Sequence, residues 1–208
     1  MKEYVYLPYE KARPLIQEGD VLLFRGRKWY SFFIKRITQS LYSHAALASW
    51  HNGDGGLLEI IEFHFGSGGA AKSLSRIVKQ NAGKIDVYRP SPRRYDVQYN
   101  NEEIVTQITD YDGKAVTTTM RGLTALHYSL LKIGMLARGY VFGLRLLNNV
   151  WAISDDTLQQ STTYVCSTSV AYSMNANGYD LVKNKSDRET KPGDLANSPL
   201  LNYLFTIQ

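Results

Sequence analysis

The chain contains a single cysteine, Cys166. Thr163-Tyr164-Val165 before it reads as extended. The run Cys166-Ser167-Thr168-Ser169-Val170-Ala171-Tyr172-Ser173-Met174 reads as a helix stopped by Asn177-Gly178. A thiol in the first turn of a helix feels the positive end of the helix dipole, which favours the thiolate. The unpaired N–H groups of that turn, that of Cys166 included, can face an oxyanion. The chemistry on offer is nucleophilic attack on a carbonyl. The competing reading of a lone Cys is a small, buried, apolar residue.

A thiol nucleophile needs a base, and the base needs an orienting group. His44 lies near the start of a strand, between Ser43 and the apolar Ala45-Ala46-Leu47. It suits the role of base, and it equally suits a satisfied core histidine. The other histidines read as turn surface (His51), strand edge (His64) and helix core (His127). Glu59 and Glu62 lie on the strand expected to return beside His44. They have opposite parity on that strand, so only one can face His44, and both remain open. Tyr42 and Tyr164 stand beside the two motifs as candidates for a second oxyanion donor.

The elements that must position these groups follow from local pattern. Gly19-Asp20 punctuates the start of a strand, Val21-Leu22-Leu23-Phe24. Arg27 to Ser40 carries Trp29, Phe32, Phe33 and Ile37 at helical spacing, an amphipathic helix with an aromatic face. Ser43–Trp50 and Leu57–Phe65 flank the turn residues His51-Asn52-Gly53-Asp54-Gly55-Gly56 and predict a β-hairpin ended by Gly66-Ser67-Gly68-Gly69. A helix at Ser73–Gln80 and a strand at Lys84–Arg89, closed by Pro90 and Pro92, come next. Asn101 to about Asp110 reads as a helix ended by Asp112-Gly113, and Met120–Ala137 as a helix with a broad apolar stripe. The stretch Val141–Ser161 has no clear period, and Leu200–Ile207 is a short apolar end to the tail. Strands gather early and helices late, which predicts an α+β fold, with residues 1–208 as one domain.

Composition narrows the function classes. With 44% hydrophobic and 21% charged residues, the profile is that of a soluble globular chain that can bury a core without staples. One cysteine permits no intrachain disulfide, and a reduced compartment is the simplest setting. The opening residues MKEYVYLPYEKARPLIQEGD carry no apolar leader stretch. No run reaches the roughly 20 apolar residues of a membrane span. Cytoplasmic synthesis without stable membrane insertion is the expectation, with surface contact left open. The net charge of +5 is dispersed; it suits weak attraction to anionic surfaces and predicts no nucleic-acid partner. Arg25–Lys28 and Arg93–Arg94 read as solvated positive faces. No metal site, phosphate loop or dinucleotide fingerprint is present, so no cofactor is expected.

Taken in order, these pieces are similar to a known family. Gly19-Asp20-Val21-Leu22-Leu23-Phe24, then Thr38-Gln39-Ser40-Leu41-Tyr42-Ser43-His44-Ala45-Ala46-Leu47, resembles the opening of the YiiX/YaeF-like permuted papain-like enzymes. These are relatives of NlpC-type cell-wall peptidases and of lecithin:retinol acyltransferase. Ile60-Ile61-Glu62 fits the family's acidic element, and Tyr164-Val165-Cys166-Ser167 with Val170-Ala171 fits its nucleophile element. The tail, Thr190-Lys191-Pro192-Gly193-Asp194-Leu195-Ala196-Asn197-Ser198-Pro199, is also similar. The His precedes the Cys, the permuted order. Thr168 departs from the acidic residue the family often has after Cys-Ser.

The resemblance implies a circularly permuted papain-like fold, a small antiparallel sheet or barrel packed against helices. It implies Cys166 as nucleophile, His44 as base and Glu62 as the residue that orients His44. The implied activity is a thiol amidase or peptidase acting through a thioester on a peptide or cell-wall fragment, in a bacterial or phage setting. A lipid amidase or acyltransferase acting on an acyl-amide is the second enzyme reading, motivated by Trp29, Phe32, Phe33 and the apolar Leu123–Met135 stretch. A catalytically silent binding or structural module on the same fold is the reading from another class.

Overall fold

A computed structural model describes residues 4–25, 40–52, 56–64, 68–91, 93–97, 103–107, 111–126, 128–129, 166–183 and 185–208. Its centre is a seven-stranded sheet. In chain order the strands are β1 (Tyr6–Leu7), β2 (Val21–Phe24), β3 (His44–His51), β4 (Leu57–His64), β5 (Gly68–Ser73), β6 (Ile85–Pro90) and, after a separate pair, β9 (Leu201–Ile207). Across the sheet the order is β1-β9-β6-β2-β3-β4-β5. The separate two-stranded sheet is β7 (Arg93–Val97) with β8 (Glu103–Gln107).

The helices are α1 (Tyr9–Ala12), α2 (Leu74–Asn81), α3 over 113–126, α4 (Cys166–Asn175) and α5 (Pro192–Ala196). Among the described residues no helix is long and apolar enough to cross a membrane. The α+β class expected from sequence is the class observed. The expected antiparallel sheet or barrel is corrected: β1 pairs parallel to β9, and the sheet stays open, with β1 and β5 at its edges.

Strand alternation builds two cores, one on each face of the sheet. Val21, Leu23, Ala45, Leu47, Ile61 and Phe63 point to one face and pack with Val116 and Met120 of α3 and Val170 and Met174 of α4. Their neighbours Leu22, Phe24, Ala46, Ala48, Leu58 and Ile60 point to the other face and pack with Leu74 and Val78 of α2 and Ala12 of α1. A strand covered on both faces must be apolar at every position, which is why β2 is a continuous run.

Several sequence expectations change. The segment read as a helix over Asn101–Asp110 contains β8; Ile104-Val105-Thr106 are consecutive β-branched residues, stiff at χ1 and better suited to a strand. Asp112-Gly113, read as a helix stop, is a helix start. The Asp112 Oδ1 accepts the N–H groups of Lys114 (2.9 Å) and Ala115 (3.0 Å), the pattern of an N-cap. The helix expected from Met120 therefore begins at residue 113. The glycine run read as the end of the hairpin holds the start of β5 at Gly68. Gly69 lies against the Phe63 ring and Thr124, where a side chain would collide with both. The apolar tail is β9, paired with both β1 and β6.

The hairpin of β3 and β4, the helix of α2 and the strand of β6 lie where expected, within one or two residues. The aromatic helix over 27–40 falls, apart from Ser40, outside the described residues, as do His127, the 141–161 stretch and Tyr164-Val165.

Candidate active site

Three strands and one helix bring the site together. His44 is the first residue of β3, and Cys166 is the first residue of α4. β2 aligns His44 through the Phe24↔His44 register, and the Phe24 ring lies 5.3 Å from the imidazole, centroid to centroid. α4 is held by Val170 and Met174 in the core and by the Ser167 hydroxyl, which donates to the Thr190 carbonyl at 2.6 Å. The helix ends through the Tyr179 N–H bonded back to the Met174 carbonyl, with Gly178 at φ +86°.

Register decides between the two glutamates. β3 and β4 pair Ala46↔Glu62 and Ser49↔Glu59. His44, Ala46 and Glu62 thus share a face, and Glu62 is the diagonal neighbour of His44. The Glu62 Oε2 is 2.7 Å from His44 Nε2, and Glu62 is only 3% exposed. Glu59 lies on the opposite face, where Arg121 Nη2 donates to its Oε2 at 3.0 Å.

With Nε2 committed to Glu62, Nδ1 is the ring nitrogen left for Cys166, and the two side chains are hydrogen-bonded. The Cys166 sulfur also accepts backbone N–H groups of Ala45 and Ser167. The Ala45 N–H is available because the β3–β4 pairing begins one residue later, at Ala46.

The electrostatics follow from these contacts. Burial opposes charge on both groups, yet the hydrogen bonds to Cys166 and Glu62 push His44 up to about 9. Burial would raise the Cys166 thiol, but the His44 hydrogen bond and charge, with the two N–H groups, hold it below its ordinary value. The helix N-terminus acts in the same direction. The arrangement therefore favours a thiolate–imidazolium pair. Cys166 retains partial exposure, and the His44 side chain is 17% exposed, so the pair is open to a ligand.

The three residues expected from the family resemblance thus meet in space. Tyr42, offered as an oxyanion donor, does not join them: its hydroxyl donates to Asp86 Oδ2 at 2.6 Å and lies 2.9 Å from the Tyr88 hydroxyl. Two participants were missed by sequence reasoning. One is the Ala45 backbone N–H, which has no side-chain signature. The other is Lys72 on β5, whose Nζ donates to Glu62 Oε1 at 2.6 Å. The parity of Lys72 would have marked it had Gly68-Gly69 been read as strand. Arg25, assigned from sequence to a solvated positive face, instead donates to the buried Asp86 Oδ1 at 2.6 Å.

A cleft of about 260 Å³ lies between residues 40–42 and α5. Leu41, Lys191, Gly193 and Asn197 are among its lining residues. One wall leads by two residues into His44, and the other follows directly after Thr190, the partner of Ser167.

No family model matches the chain, and no curated protein matches it.

Proposed function

We propose that the protein is a cysteine hydrolase that cleaves an amide or ester bond through a thioester. One observation carries this reading: a partly exposed thiol at a helix start is hydrogen-bonded to a histidine whose other nitrogen is held by a buried carboxylate. The Cys166 thiolate attacks the substrate carbonyl carbon, and the carbonyl π electrons move onto oxygen. The N–H groups at the start of α4 stabilise that oxyanion. Collapse of the intermediate expels the amine or alcohol, which takes its proton from the His44 imidazolium. Water then attacks the thioester, giving its proton to neutral His44, and the carboxylic acid and the thiol are regenerated. Glu62 holds the ring orientation and stabilises the imidazolium throughout.

The resemblance carried by the sequence motifs points to a peptide or cell-wall peptide fragment as the substrate, with an acyl-amide as the alternative. Cys166→Ala and His44→Ala should each lower turnover of a peptide amide by at least about 10³-fold while circular dichroism stays that of the parent. Full activity in Cys166→Ala defeats the mechanism. Rapid quenching followed by intact-mass measurement identifies the trapped group; a fatty acyl adduct in place of a peptidyl one defeats the substrate assignment and supports the lipid amidase.

A further inference from the structure

We infer that Lys72 is a positioning residue for the acyl-transfer site, acting on His44 and Cys166 through the Glu62 carboxylate. The inference rests on the hydrolase reading above. Its geometry is a diagonal row across three strands. β4 and β5 pair Ile60↔Lys72 and Glu62↔Ala70, so Lys72 shares the face of Glu62. His44 of β3 lies on the other side of the same carboxylate. The two oxygens are divided between them, Oε2 with His44 Nε2 at 2.7 Å and Oε1 with Lys72 Nζ at 2.6 Å.

A carboxylate as buried as Glu62 needs both oxygens satisfied and a cation nearby, or it takes up a proton. His44 cannot serve both needs, because the imidazole charge changes during the reaction. Lys72 brings an ammonium to the carboxylate on a side chain that is 43% exposed, so it supplies the cation without being buried itself. The same face of the sheet carries, among the described residues, the apolar Leu22 and Phe24 of β2, Ala46 of β3 and Leu74 and Val78 of α2, with the partly buried Tyr9 packed against that cluster. The charged residues of α2, Arg76 and Lys79, are exposed. Lys72 is thus the group from β5 that keeps Glu62 ionised and fixed in rotamer when His44 is neutral.

Removing the Lys72 charge raises the tendency of Glu62 to protonate, and Glu62 then stops stabilising the imidazolium. That loss moves the acid limb of Cys166 reactivity to higher pH.

Cys166 is the sole thiol of the chain, so its alkylation by iodoacetamide across pH reads the site without any substrate. In Lys72→Met the acid limb should move up by about one pH unit, and the alkylation rate on that limb should fall about tenfold. Lys72→Arg, which keeps the charge, should recover most of the parent profile. In a Glu62→Gln background, Lys72→Met should shift the limb by less than about a third as much, since the route through the carboxylate is gone. A profile unchanged in a folded Lys72→Met, or an equal shift in the Glu62→Gln background, overturns the role. If Lys72→Met fails to fold, Lys72→Gln gives the same reading. A parent protein whose thiol reacts as an ordinary free thiol overturns the hydrolase reading itself, which separates the two failures.

Discussion

At the scale of single residues, the site is a chain of four polar groups from α4 across the sheet: Cys166, His44, Glu62 and Lys72. Each link compensates a charge that burial would otherwise suppress. The pair of shifts gives a pH prediction with a definite sign. Cys166 is held below its ordinary value, so its alkylation at neutral pH should be faster than that of a free thiol, which is mostly protonated there. Turnover needs a proton on His44 for the leaving group, so it should fall as pH rises through about 9. A pH–rate profile that keeps rising past pH 10, with the limb of a simple free thiol, contradicts the ion pair. The same shift affects stability. A His44 value raised above 6.5 means that the folded state holds the proton more tightly. Its stabilising contribution is complete below pH 6.5 and is lost as pH rises through about 9.

At the scale of elements, the start of α3 is fitted to the turn that enters β2. Gly19 adopts φ +80°, and a side chain there would overlap the Tyr111 hydroxyl and the Gly113 backbone. A side chain at Gly113 would overlap the carbonyl of Glu18. The Tyr111 hydroxyl bonds the Gly19 carbonyl at 2.8 Å, and the Thr117 hydroxyl bonds Glu18 Oε1 at 2.5 Å. Backbone meets backbone here, so neither partner can yield cheaply. Two glycine substitutions in one helix should therefore have opposite signs. Gly113→Ala should cost about 3 kcal/mol through overpacking. Gly122→Ala faces open space and should stabilise by about 0.5 to 1 kcal/mol through helix propensity. Chemical denaturation of the two variants checks this; equal effects would mean that α3 does not abut the Glu18–Gly19 turn.

At the scale of the whole molecule, buried ion pairs tie the centre of the sheet to its periphery. Asp20 is fully buried before β2 and takes both Arg89 Nε (2.9 Å) and Nη2 (2.8 Å) from β6, while Arg89 also bonds the Leu15 carbonyl. Asp86 of β6 gathers Arg25 just after β2, Tyr42 from the segment before β3, and Thr206 of β9. Burial raises Asp20 above the ordinary carboxylate value, with Arg89 and the Gln17 N–H opposing it. Its contribution is therefore greatest below that ordinary value and diminishes as pH rises. Arg89→Met leaves the carboxylate uncompensated and should cost about 3 kcal/mol at pH 7. The cost should be smaller at pH 4, where Asp20 can protonate. Urea titrations at the two pH values test the sign; a larger loss at pH 4 would rule out Asp20 as the group responsible.

Local pattern in the sequence determined much of the site and part of the frame. A continuous apolar run marked β2, because a strand buried on both faces must be apolar throughout, and largely apolar stretches bounded by turn residues marked β3, β4 and β6. Cys166 could be placed at a helix start from its own neighbours and the Asn177-Gly178 stop. Parity narrowed the orienting acid to Glu59 or Glu62 and could go no further. The choice required the register Ala46↔Glu62, which is a property of two strands together. Pairing also settled β8, β9 and β5, whose short or glycine-containing sequences carry weak local signals. Asp112-Gly113 shows the same limit, since Asp and Gly are good residues at either end of a helix and only the direction of the bonds to Asp112 distinguishes them. Residue types specify which charges and thiols a chain owns. Which of them meet is set by strand register and order, where free energy is shared between segments far apart in sequence.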